Sequence, residues 1–174
     1  MGTTIFFAEI FIIGLQAVVW VAVFAAALFG LRLADLPVVE GWGAAAALVF
    51  LALAYSLGLL ADRLADALFS PLDHRMRPSI IPDKEAPVWQ MRLHLIAKDD
   101  GLTRFVEYSR TRIRIVRAIT FNLLMLMVGI AALWITGRAT LPQGSLILLL
   151  FICAGGVALS FYAWRRMTKA YYKR

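Results

Sequence analysis

Asp62 and Asp66 lie four residues apart at the end of a long apolar run, with Arg63 between them. Arg110, Arg114 and Arg117 precede another apolar run, and their spacings of four and three put them on one helix face, with Glu107 on the same stripe. Glu9 lies a few residues inside a third apolar run. Two carboxylates at helical spacing can act as an acid–base pair, hold a cation, or pair with arginines. Arginine is suited to the last role, because its planar guanidinium matches a carboxylate in a bidentate pair.

The elements that must position these groups are hydrophobic. The chain has 174 residues, of which 61% are hydrophobic and only 17% charged. Its mean hydropathy is +0.77. Soluble domains carry roughly 25% charged residues. A helix crossing the hydrocarbon core needs roughly 20 mostly apolar residues. Four stretches qualify, at about 5–29, 42–61, 118–135 and 146–164. The expected fold class is therefore all-α, an integral membrane four-helix bundle. It divides into a transmembrane hairpin over 1–69, a central loop and helix extension over 70–117, and a second hairpin with a basic tail over 118–174.

The net charge of +7 would suggest nucleic acid in a soluble protein. Here its distribution has a simpler cause. Sixteen of eighteen Lys and Arg residues fall between Arg63 and Arg117 or after Trp164, leaving only Arg32 and Arg138 in the other two connections. Cytoplasmic segments of membrane proteins carry such an excess. Both termini and the central loop are therefore expected in the cytoplasm, with anionic head groups as partners and no nucleic acid. The first apolar run lacks a basic leader and an A-x-A site, so it is expected to remain as a span. The sixth residue of MGTTIF is Phe, which removes the myristoylation pattern. Alanine- and arginine-rich usage points to a bacterial inner membrane.

Along the chain, Glu9 and Gln16 are seven apart on helix 1 and share a face with Ile13 and Trp20. The segment SPLDHRMRPSIIPDKEAP holds four prolines and is expected to be extended, with no long helix. Val88, Met91 and Leu95 then mark a short amphipathic helix. From Leu102 the pattern is helical into the third span, so helix 3 should project into the cytoplasm. On helix 4, Gly156 and Ser160 are small residues four apart, a spacing that lets helices approach closely in lipid and favours self-association.

Glu9, Asp62, Asp66, Arg63, Arg110, Arg114 and Arg117 thus fall at one depth on three helices, and intramembrane charges pair or face water. One turn deeper, Gln16, Tyr55, Ser56 and Asn122 form a candidate second polar layer. These groups fix helix order as a packing network, line a permeation or ion-binding path through Glu9, Gln16 and Asp62, or snorkel to the interface without specific partners; Glu9, Gln16, Tyr55 and Asn122 are the candidate pore or polar-layer residues.

Other chemistries lack their residues. His74 and His94 are the only histidines, and Cys153 is the only cysteine, expected as a small packing residue. No metal site and no cofactor are therefore expected. No G-x-S-x-G elbow and no glycine-rich phosphate loop occurs. AKDDGLTRF has Ala97 where an intramembrane phosphotransferase motif needs its first aspartate. RTRIRIVR clusters its arginines before the span, whereas a voltage sensor carries them through it. No catalytic function is expected. The leading expectation is a small homo-oligomeric, channel-like protein with a basic cytoplasmic loop for gating. A membrane anchor or regulatory subunit that docks a cytoplasmic partner through 70–117 is the alternative, and a small transporter is a third.

Overall fold

A computed structural model of the chain describes residues 2–30, 43–76, 100–139 and 141–173. Four helices account for nearly all of them: α1 (Gly2–Phe29), α2 (Gly43–Met76), α3 (Asp100–Ile135) and α4 (Gln143–Lys173). All four are long and apolar enough to cross a membrane. At about 1.5 Å per residue they measure roughly 42 to 54 Å, against a hydrocarbon core of about 30 Å. They therefore extend past the hydrocarbon. The Asp62, Arg117 and Arg165 end is called here the basic end.

The helices form two antiparallel hairpins, α1–α2 and α3–α4, joined mainly by the packing of α1 on α3. The core at the basic end consists of Ile13, Ala17, Ala61, Ala65, Ala118 and Phe121. A second cluster of Ile130, Leu146 and Cys153 fills the far end between α3 and α4. Cys153 is buried there as a packing residue.

Small residues set the closest approach. A Cβ on Gly14 would lie 1.7 Å from the carbonyl oxygen of Ala54, and one on Gly58 would lie 2.1 Å from that of Ile10. No side chain fits there, so α1 and α2 touch backbone to backbone. Lipid tails are as apolar as leucine, and association in a bilayer depends on this kind of close packing. On the far side of this contact, residues 43–53 of α2 are all exposed. Large apolar side chains such as Leu48, Phe50, Phe151 and Leu159 face outward, while Glu9, Asp62, Thr120 and Asn122 are buried. Polar inside and apolar outside suits a hydrocarbon surrounding.

At the far end the helix termini are closed locally. Gly30 has φ +68°, and its N–H bonds the Ala26 carbonyl. The Arg138 guanidinium, from the turn after α3, donates to the carbonyl oxygens of Ala27 (2.9 Å) and Leu28. These are orphan acceptors at a helix C-terminus, where a cation also complements the helix dipole.

One expectation needs correction. Helix α2 does not end near Phe69 but continues through Pro71 to Met76. Proline in a helix removes one hydrogen bond and crowds the preceding turn. Here α4 holds the turn on both sides of it. The Phe69 ring packs edge-on against Trp164, with centroids 4.7 Å apart, and Tyr172 O–H donates to Asp73 at 2.7 Å. Gly156, expected as a helix-packing residue, packs within the chain: a Cβ there would lie 3.0 Å from Leu123 on α3. Ser160 donates to the Gly156 carbonyl of its own helix at 2.7 Å. The expected amphipathic helix at 88–96, with His94, lies outside the described residues.

Candidate functional site

The polar groups inside the bundle fall into two layers. The deeper one is centred on Asn122 of α3. Parallel packing of α1 and α3 brings Asn122 against the face of α1 that carries Ile13, Gln16 and Trp20. Asn122 Nδ2 donates to the Ile13 carbonyl (3.1 Å) and to Gln16 Oε1 (3.2 Å), while its Oδ1 accepts from Trp20 Nε1 (3.0 Å). The amide has two N–H donors and one carbonyl oxygen, and each is engaged. The Trp20 ring is braced edge-on by Phe24 and Phe121. Tyr55 does not join this layer: its ring stacks on Phe7 with centroids 5.5 Å apart. Ser56 is exposed.

The charged layer lies one turn nearer the basic end. Asp62 on α2 is buried at 6% exposure. Its Oδ1 lies 3.7 Å from Arg114 Nε and 3.8 Å from an Arg117 terminal nitrogen. The other terminal nitrogen of Arg117 reaches Asp66 Oδ1 at 2.5 Å. Asp62 and Asp66 are four apart on one helix and Arg114 and Arg117 three apart on the next, so the pairs meet as two facing ridges. Arg117 bridges both acids. Asp66 is the outer member, with its side chain 55% exposed, whereas the Asp62 side chain is 8% exposed. Screening makes the outer pair weak, and burial makes the inner group costly to leave uncompensated.

Glu9 is buried at 6% exposure, yet it makes no ion pair with an arginine among the described residues. Its Oε1 has no hydrogen-bond partner, and neither Asp62 Oδ1 nor Arg117 Nε has one either. Arg63 and Arg110 are exposed and stand outside the cluster. On the surface of α3, Arg112 lies over the Tyr108 ring at 5.4 Å. Among the described residues, no group of three or more His, Cys, Asp or Glu side chains could hold a metal ion.

The layers tie together three helices, α1, α2 and α3, and among the described residues neither places a nucleophile beside a base. The Glu9–Gln16 face, expected at an oligomer axis if the chain forms a pore, packs between helices of one chain. Sequence reasoning missed the Gly14–Gly58 contact that sets the depth of this packing. Its signal was present as Ala54 and Gly58, small residues four apart on α2. The comparisons with known proteins add no constraint: no family model, no curated protein and no solved structure matches this chain.

Proposed function

We propose that the chain is a membrane anchor or regulatory subunit that receives a cytoplasmic partner at its basic end. The observation that carries this reading is the paired helical neck beyond the charged layer. Helices α2, α3 and α4 continue past Asp62 and Arg117. Phe69 against Trp164 and Tyr172 against Asp73 hold α2 and α4 together there. A span needs only about 20 residues, so these extra turns form a platform outside the hydrocarbon. Its surface is basic, with Arg75, Arg110, Arg112, Arg165 and Arg166 exposed. It fits an acidic protein surface, and its rim fits anionic head groups.

The channel reading is less well supported, because two of its four pore residues are spent on each other. Gln16 and Asn122 are joined by hydrogen bonds within one chain. The distribution of arginines supports a cytoplasmic position for the neck, and composition supports a bacterial inner membrane. We infer no catalytic activity and no cofactor.

Photo-crosslinking in producing cells tests the proposal. A crosslinking residue at position 108 or 112 should trap one soluble protein, and the same residue at position 151 should trap lipid only. In parallel, the purified protein in vesicles should pass no ions. A selective ion flux that Gln16→Leu alters would favour the pore instead.

A further inference from the structure

Three buried polar atoms at one depth have no hydrogen-bond partner among the described residues: Glu9 Oε1 on α1, Asp62 Oδ1 on α2 and Arg117 Nε on α3. A fourth, Thr168 Oγ1, lies on α4 in the neck. Helix register brings the first three together. Asn122 bonds Ile13 and Gln16 across two parallel helices, so Arg117 and Ala118, about one turn nearer the basic end, come level with Glu9. Gly58 packs on Ile10 across two antiparallel helices, which brings Ala61 and Asp62 to the same level. Ile13, one turn from Glu9 on the same face, shares a core cluster with Ala61, Ala65 and Ala118. Glu9 thus lies on the α1 face that meets α2 and α3. Glu9 and Asp62 are each only 6% exposed.

Buried polar groups are paired with protein or with ordered water, and a buried water makes about three hydrogen bonds to groups otherwise unsatisfied. These three atoms make such a set. The carboxyl oxygens of Glu9 and Asp62 accept, and the Arg117 Nε–H donates. A water has two protons to give and a lone pair for the third bond. The ion-pair geometry points the same way. Asp62 Oδ1 stands 3.7 Å from Arg114 Nε and 3.8 Å from an Arg117 terminal nitrogen. Both contacts are too long for hydrogen bonds, so the oxygen keeps its capacity to accept from water. A metal ion would face the Arg117 N–H, and an anion would face two acids. We propose that Glu9, Asp62 and Arg117 enclose a water-binding site at the junction of α1, α2 and α3. One water accepts from Arg117 Nε and donates to Glu9 Oε1 and Asp62 Oδ1, which ties Glu9 of α1 into the charged layer of α2 and α3. The site stands whether or not the neck docks a partner.

Water-edited solid-state NMR of the protein in phosphatidylcholine vesicles tests this, because it follows magnetisation passing from water protons to nearby carbons. The reference signals are the exposed Asp66 carboxyl and the buried Asn122 amide carbon, whose hydrogen bonds are made within the protein. The expected result is that the Glu9 and Asp62 carboxyl carbons gain signal several-fold faster than the Asn122 carbon and approach the Asp66 rate. Carbon–nitrogen dephasing should show no direct contact between the Glu9 carboxyl and a Lys or Arg side-chain nitrogen. Glu9→Leu should slow the gain at Asp62 to the Asn122 rate, since the site then lacks an acceptor. The proposal is overturned if either wild-type carboxyl gains signal no faster than Asn122. It is overturned equally if the Glu9 carboxyl sits directly on Arg117 or on a basic side chain from the connections, or if Asp62 stays fast in a folded Glu9→Leu bundle. The wild-type spectra decide the matter even where Glu9→Leu fails to fold.

Discussion

Gly58 of α2 lies against Gly14 of α1 so closely that a Cβ on Gly58 would sit 2.9 Å from the Gly14 nitrogen, as well as 2.1 Å from the Ile10 carbonyl oxygen. These are backbone atoms and cannot rotate aside. Gly58→Ala should therefore force the two helices apart and destabilise the bundle by about 1–3 kcal/mol, in the range of overpacked cores. Gly155→Ala is the control, since a Cβ there meets nothing within 4 Å. It should be neutral or stabilising by up to about 1 kcal/mol, the helix-propensity gain of alanine over glycine. Thermal melting of both variants in one detergent checks the pair. Equal effects would mean that the contact is not close.

Asn122 carries the deeper polar layer. Asn122→Leu removes the acceptor of Trp20 Nε1 and the donor to Gln16. Leaving buried groups unsatisfied costs about 1–3 kcal/mol. The same substitution paired with Trp20→Phe should cost less than the sum of the two, because no indole N–H is then left without an acceptor. Strict additivity in detergent melts would show that the bond does not contribute.

The two acid–arginine pairs should differ in coupling. Asp62→Ala leaves Arg114 and Arg117 beside an emptied position, and breaking a buried pair costs about 3–5 kcal/mol. A double-mutant cycle with Arg117→Ala should recover a large part of this. Asp66→Ala should cost no more than about 1 kcal/mol, because the Asp66 carboxylate is largely in solvent. A cycle in which Asp66 couples to Arg117 as strongly as Asp62 does would reverse the inner and outer assignment.

Much of this architecture was legible because lipid imposes simple demands. Four apolar runs are four helices, and an Asn or Asp within such a run must find a partner inside. Asn122 and Gln16 could be placed at one depth from residue counts alone. Their bonds to Trp20 and Ile13 depend on the rotation of each helix, which counting does not fix. Rotation also decided the fate of Gly156, whose spacing from Ser160 signals close packing without saying against what. It packs on Leu123 of its own chain. Pro71 was misleading for another reason. Proline punctuates a helix only if tertiary contacts do not hold the helix across it, and here Phe69 and Asp73 are both held by α4.

The proposed cytoplasmic position of the basic end rests on the distribution of basic residues and is open to direct measurement. A single cysteine introduced at position 140 in a Cys153→Ser background should be labelled by a membrane-impermeant maleimide from outside intact cells. One introduced at position 84 should react only after the membrane is opened. The opposite pattern would put the basic end outside and remove the cytoplasmic partner from the account.

The central claim is that the neck beyond the charged layer is a docking platform. Photo-crosslinking from position 112, on the exposed face of α3 beside Tyr108, addresses it most directly. The account predicts one discrete adduct with a soluble protein, lost when two exposed arginines of the neck are made acidic by Arg110→Glu and Arg165→Glu while the protein still melts as a folded bundle. Adducts with lipid alone, or with a second copy of this chain alone, from positions 108 and 112 would contradict it.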